Sequence, residues 1–175
     1  VVELDGTRYV LAESLLANYA AELGEAITVA TMKGADLVGR RYTPLFDYFT
    51  DTENAFRVLA ADFVSTEDGT GIVHLAPGFG EDDQVVANAA GIPTICPMDE
   101  HGRYTAEVAD WAGTHVFDAN PAINRELKER GVDERHATYD HPYPHSWRCS
   151  QPLVYPAITS WFVKVTEIPE RMVNK

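Results

Sequence analysis

One fifteen-residue stretch constrains this chain more than any other: Gly69-Thr70-Gly71-Ile72-Val73-His74-Leu75-Ala76-Pro77-Gly78-Phe79-Gly80-Glu81-Asp82-Asp83. A glycine-framed turn leads into a short apolar run, 72–75, that reads as a strand carrying one histidine. A Gly/Pro loop follows. Directly after the doubled aspartate, Gln84 to Ala90 reads as a helix, and Gly91 stops it. Strand and helix then meet across a tight loop, with His74 on one side and Asp82 and Asp83 on the other. Convergent polar groups around a small loop are what a binding or catalytic site needs.

The rest of the chain is mixed in pattern. Asp5-Gly6, between 1–4 and 8–11, is a hairpin turn pair. Residues 13–23 place Leu15, Leu16, Tyr19, Ala20 and Leu23 on one helical face, with Gly24 as the stop. Segments 26–32 and 55–64 read as strands, 65–71 as a polar turn, 93–96 as a short buried strand and 99–103 as a turn. Asp118 or Asn120 is the expected cap of a helix with Pro121 near its first turn, ending at Gly131. From residue 139 the chain is rich in proline and aromatics. Strand-like pieces lie at 153–155 and 161–165, and 168–175 looks like the start of a further helix. Short strands interleaved with three helices, without regular βαβ spacing, predict an α+β domain with a curled, mixed sheet. At 175 residues, one domain spanning 1–175 is the expectation.

Composition excludes some classes. No apolar run approaches the roughly 20 residues that cross a bilayer, and no basic segment leads into an apolar one as in a signal peptide. Cys96 and Cys149 form no CxxC pair, which predicts reduced thiols in a cytosolic protein. A net charge of −13 runs against a free-standing nucleic-acid binder, which is usually basic. The basic residues are partly grouped: Lys33, Arg40 and Arg41, then Arg148, Lys164, Arg171 and Lys175. A local positive patch that guides a single-stranded end and scattered solubilising charge stand as equal readings. No heptad seam or long apolar edge stands out, so a monomer is expected.

Each candidate residue has a chemical and a bland reading. A carboxylate such as Asp83 in a partly dry pocket pairs well with a cationic group; Asp82 and Asp83 otherwise merely stabilise a helix start, worth about 0.3–1 kcal/mol each. His74 suits substrate contact or proton transfer, or is a hydrogen-bonded strand histidine. Gly78 and Gly80 let backbone approach a ligand closely, or simply serve the turn. Phe79, Trp111, Trp147 and Trp161 can stack on bases, although core packing is the commoner use of such rings. His141, His145 and Cys149 are zinc-type ligands at even spacing, but Pro142 and Pro144 oppose the helix that would align them, and paired ligand spacings are missing. No nucleophile elbow is present.

The motif G-T-G-x-V-H-x-A-P-G-x-G-x-D-D resembles the signature of the editing domain inserted in isoleucyl-tRNA synthetases. Residues 33–39 and 42–46 are similar to that domain's K-G-x-x-L-x-G and Y-x-P-L-F elements. Residues 143–149 and 160–163 are similar to the segment by which the chain returns to the synthetase body. The resemblance covers about 25–165, in the family's order. It implies a β-barrel-like core with about three peripheral helices, in a piece of a larger enzyme. It also implies that Asp83 grips the α-ammonium of a mischarged amino acid. His74 is the second catalytic candidate, through substrate contact and discrimination or as a general base. Thr70, Gly71, Leu75, Gly78, Phe79, Gly80 and Asp82 would line the substrate. Lys33, Arg148, Trp161 and Lys164 would meet tRNA.

The implied reaction is hydrolysis of valine wrongly attached to the isoleucine tRNA, and of valyl-adenylate. Water attacks the ester directly, helped by N–H groups at the helix start. The implied partners are the 3′ aminoacyl end of that tRNA and the catalytic domain of the parent synthetase. Editing itself calls for no cofactor or metal, whereas the parent enzyme uses ATP and magnesium. Two departures from the family pattern stand out. Phe79 replaces a histidine common there, and no Thr-Thr-Thr run exists, so the Thr-rich wall of the pocket is expected to be absent. A non-catalytic module that captures an aminoacyl-adenosine end and a zinc-dependent hydrolase are the alternatives.

Overall fold

The computed structural model describes residues 1–132, 135 and 140–165. Its chain opens with a hairpin, β1 (Val2–Leu4) and β2 (Thr7–Tyr9), paired antiparallel as Val2 with Tyr9, Glu3 with Arg8 and Leu4 with Thr7. Asp5 and Gly6 take φ of 50° and 80°. Positive φ at both central positions is the geometry that matches strand twist in a two-residue hairpin, and Asp-Gly tolerates it. The Arg8 guanidinium reaches Glu3 across the pair at 2.8 Å. β3 (Ile27–Thr28) adds to the other edge of β1, giving an antiparallel sheet of order β2-β1-β3. Only two residues of the expected strand 26–32 join it.

The expected helix 13–23 forms in two parts. A 3-10 helix (Glu13–Tyr19) passes into a short α-helix, α1 (Ala20–Leu23). Leu15 is buried. Further along lie a 3-10 turn (Gly34–Leu37), α2 (Glu81–Ala89), a 3-10 turn (Ala109–Trp111) and α3 (Val116–Glu129). The fold is therefore α+β, and its sheet is antiparallel and open.

Several expected strands do not form, for identifiable reasons. Segment 55–64 pairs only briefly: Val58 exchanges backbone bonds with Arg40 (2.8 Å) and Gly39 (2.9 Å), and Tyr42 donates to Phe56 (3.0 Å). Asn54 and Phe56 have φ of 60° and 54°, which turns the chain out of the extended conformation a ladder requires. Segments 72–75 and 93–96 join no ladder among the described residues. In the tail, 153–155 and 161–165 are likewise not strands, and a single bridge links His145 to Pro152. Pro142, Pro144, Pro152 and Pro156 each remove a ladder donor there. The expected helix at 168–175 lies outside the described residues.

α3 starts earlier than expected. Its cap is His115, whose Nδ1 accepts from the Phe117 N–H, rather than Asp118 or Asn120, and Pro121 falls inside the helix. The helix earns this start by burying Ala119 against Val108 and Trp111, with Phe46, Tyr48, Phe49, Tyr104 and Ile123 packed around them. Trp111 meets Phe46 edge-on at 5.1 Å and Tyr48 at 6.2 Å. Such ring pairs add to the gain from area burial. Arg130, at the end of α3, covers the Phe46 ring and donates to the Leu45 carbonyl.

Candidate functional site

The loop between the Gly-rich turn and α2 is built almost entirely by backbone hydrogen bonds. The Ala76 carbonyl accepts from Phe79 N–H (2.9 Å) and Gly80 N–H (3.0 Å). Pro77 sits at the second position of that turn, where its fixed φ is favourable. Asp83, the third residue of α2, reaches back so that Oδ2 accepts from the Ala76 N–H at 2.9 Å. Both polar groups of the Ala76 backbone are thereby engaged, and the loop is pinned to the helix start. Asp83 is half-buried and Oδ1 accepts no hydrogen bond among the described residues. A carboxylate with one oxygen held and one unclaimed, at the positive end of a helix, can receive a cationic group.

The glycines of this loop owe their places to space. Neither Gly78 nor Gly80 has a positive φ. Gly78 is buried, and a Cβ there would come within 2.2 Å of the Ile95 carbonyl oxygen. Its own carbonyl accepts from the Ala157 N–H at 2.7 Å. The close approach foreseen for Gly78 is thus made to the protein's own segments, 95–96 on one side and the tail on the other.

Thr70 and Gly71 are held against the start of the 3-10 helix at 13–19. The Thr70 carbonyl accepts from Ala12 N–H (2.8 Å), and its hydroxyl bonds the Ile72 carbonyl (3.0 Å). Gly71 has φ of 77°, and a Cβ on it would lie 2.6 Å from that of Ala12. Tyr19 and Ser14 donate to the Gly69 and Thr66 carbonyls. This turn is an anchor that fixes where the 72–76 segment departs. Leu75 is half-buried, whereas His74 and Asp82 are exposed. Among the described residues His74 makes no hydrogen bond.

Phe79 lines a cavity of about 300 Å³ with Tyr104, Val116, Phe117, Asn120, Tyr143, Val154 and Tyr155. A second cavity of about 320 Å³ lies between the sheet and 3-10 segment 34–37, walled by Val10, Val29, Met32 and Leu37 with Arg8 and Arg40. Neither includes His74 or Asp83. The Phe79 cavity joins the loop, α3 and the tail, and sequence reasoning missed it. The aromatic richness of the tail was its one visible signal. Also missed were Arg57 and Asn54, which donate to the Ala90 (2.5 Å) and Gly91 (3.2 Å) carbonyls at the far end of α2.

The residues expected to meet tRNA stand apart from one another in the sequence and are exposed: Lys33 beside its 3-10 turn, Arg148 stacked 4.7 Å over the Trp147 ring, then Trp161 and Lys164. Trp161 is wholly exposed. Arg171 and Lys175 lie outside the described residues. The zinc-type set does not gather. His141 and His145 direct Nδ1 to the carbonyls of Pro142 and Tyr143, and among the described residues no three His, Cys, Asp or Glu side chains converge to hold a metal ion. The Cys149 thiol is lowered from its ordinary pKa, chiefly by the Ser146 hydroxyl. No described helix is long and apolar enough to cross a membrane.

No protein-family model matches the chain. Comparison with curated proteins is more informative. The chain is 54% identical over 182 aligned residues to an isoleucine--tRNA ligase of Mycobacterium tuberculosis (strain ATCC 25618 / H37Rv), with 99% of the chain and 18% of the relative covered. It is 53% identical to one from Corynebacterium diphtheriae, with 97% of the chain and 16% of the relative covered. For one from Rickettsia bellii the identity is 48%, covering 95% of the chain and 15% of the relative. The chain thus spans less than a fifth of the length of these relatives.

Proposed function

From the homology of this chain to a segment of isoleucine--tRNA ligases, we propose that it is the editing domain of such an enzyme. In this reading it hydrolyses valine from wrongly charged isoleucine tRNA, and valyl-adenylate as a second substrate. The need is physical. One methylene changes binding by only about 1–3 kcal/mol, a range for which the isoleucine enzyme is itself the standard example, so a pocket for isoleucine excludes valine poorly. A second site that admits the smaller side chain and overpacks the larger inverts the test.

The observation that carries the reading is the carboxylate of Asp83, held through Oδ2 by the Ala76 N–H while Oδ1 accepts no hydrogen bond among the described residues. Oδ1 would take the α-ammonium of the aminoacyl group. The first-turn N–H groups of α2 have no intrahelical acceptors, and they would stabilise the charge that develops on the ester carbonyl oxygen. Water adds to the carbonyl carbon, the bond to the ribose oxygen breaks, and that oxygen leaves with a proton. His74, exposed, would contact the substrate side chain or the attacking water. No metal enters this scheme. The acceptor end of the tRNA and the catalytic domain of a synthetase are the partners of this reading, in a monomeric cytoplasmic enzyme. A curled, barrel-like extension of the open sheet also belongs to it, with the isolated bridges Arg41–Arg57 and His145–Pro152 as its starting points.

Deacylation of valyl- and isoleucyl-charged isoleucine tRNA in EDTA tests the proposal. The expected result is selective loss of valine. Asp83→Ala should slow it on the order of a hundredfold, the equivalent of ~3 kcal/mol for an unpaired ammonium. Normal valine hydrolysis by that variant overturns the assignment.

One observation favours a second reading, capture without hydrolysis: His74 and Asp83 line neither described cavity. Tight binding of a non-hydrolysable valyl-adenosine analogue, with no turnover of the charged tRNA, would select it.

A further inference from the structure

We infer that Gly80 is a positioning residue for Asp83: the missing Cβ at 80 leaves the space in which the Asp83 carboxylate lies against the Ala76 N–H. Gly80 is the N-cap of α2, with φ −115° and ψ 129°. Any residue adopts that extended conformation, so the backbone does not ask for glycine. Capping does not ask for it either. Glycine is a good N-cap, on a par with Thr, but Asn, Asp and Ser, which would bond the helix N–H groups, serve the position at least as well. Space does ask for it. A Cβ on Gly80 would lie 2.6 Å from Asp83 Oδ2, 2.8 Å from its Cγ and 3.2 Å from its Cβ. The oxygen it would strike is the one that accepts from Ala76.

The obstructing group is the movable end of a side chain, so an alanine at 80 is accommodated by rotating the carboxylate away. The fold survives and the site does not. Gly78 provides the opposite case. A Cβ there meets the Ile95 carbonyl at 2.2 Å, which is main chain and cannot rotate aside. Two glycines two residues apart thus carry different loads: Gly78 keeps the loop packed on 95–96, and Gly80 keeps a carboxylate aimed. In the activity, this inference rests on the editing reading; in the geometry it does not.

The test uses the whole 175-residue chain as wild type, Gly80→Ala, Asp83→Ala, the double variant and Gly78→Ala. Amide hydrogen exchange at Ala76 reads the hydrogen bond directly and needs no substrate. Protection of Ala76 should fall to the same level in Gly80→Ala and Asp83→Ala, with no further fall in the double variant. The Tm of Gly80→Ala should drop by no more than ~4 °C, the scale of a changed N-cap, and that of Gly78→Ala clearly further. Valyl-tRNA hydrolysis should fall on the order of a hundredfold in Gly80→Ala, as a small misplacement of a site group does. That loss should vanish when measured in the Asp83→Ala background. Wild-type protection of Ala76 in Gly80→Ala overturns the inference. So does an activity loss that persists without Asp83. If the wild-type chain proves inactive, the editing reading fails, while the Ala76 protection still decides the role of Gly80.

Discussion

Trp111 and Trp161 show two different uses of the same side chain. Trp111 is 9% exposed, with Phe46 and Tyr48 against its ring and Val108 and Ala119 beside it. Trp161 is 102% exposed, followed by Phe162 at 90%. Supply of partners separates them. Around Trp111, α3 returns Ala119 and Ile123 at helical spacing, and the 46–49 segment lays its rings on the indole. Around Trp161 the chain has passed Ala157, whose N–H bonds the Gly78 carbonyl of the loop, and among the described residues it forms no further strand or α-helix there. An apolar residue becomes core only where topology brings another apolar surface to it.

The largest expected effect tests that distinction. Trp111→Ala should cost about 3–5 kcal/mol, as removal of a buried large aromatic does. Trp161→Ala should stay within ~0.5 kcal/mol, like other exposed positions. Denaturant unfolding of the two variants measures both. Comparable losses would mean that the tail is packed in solution and that the two regions are one core.

The same contrast explains what the sequence made legible. Asp5-Gly6 announced the hairpin because its turn chemistry is local. The doubled aspartate announced α2 for the same reason, and it singles out Asp83 from sequence alone. Segments 55–64, 72–75 and 93–96 looked like strands because they are apolar, but a strand is defined by partners, and sequence runs do not name partners. Left-handed backbone at Asn54 and Phe56 carries no glycine to announce it. The start of α3 was missed because histidine is not among the usual caps. Arg57 at the end of α2 and the aromatic cavity beside Phe79 depend on long-range contacts, and no periodicity encodes those. Gly78 and Gly80 were visible as glycines, but which atoms they make room for was not.

A smaller effect separates the regions chemically. Cys149 belongs to the tail and is exposed, with its thiol pKa lowered chiefly by the Ser146 hydroxyl and next by the Gln151 N–H. Cys96 is half-buried beside the Gly78 loop. Thiolate fraction and access both favour Cys149. Iodoacetamide at neutral pH should label it several-fold faster than Cys96, read by peptide mass spectrometry. Equal rates would place Cys149 in a protected setting and weaken the picture of an open tail.

The subtlest difference lies in two turns, one from each region. Near the core, Asp99 Oδ1 accepts from the His101 and Arg103 N–H groups at 2.9 Å each. In the tail, the Ser146 hydroxyl oxygen accepts from Arg148 and Cys149 N–H at 3.4 Å. One acceptor titrates and the other does not. The Arg103 N–H is the largest cause that lowers the Asp99 pKa in the folded chain, with His101 adding to it. A lowered folded value means that the carboxylate's contribution is present at neutral pH. It starts to fade near the ordinary Asp value of about 3.9 and is lost once the pH falls below the folded value. Amide exchange at Arg103 and His101 should therefore accelerate below pH ~4 beyond its intrinsic trend. Exchange at Arg148 and Cys149 should show no such step. Asp99→Asn, which keeps an oxygen acceptor and loses the charge, should remove the step. A step of equal size in both turns would trace acid sensitivity to general loosening of the fold. A step confined to 99–103 would tie it to one carboxylate on the packed side of the molecule.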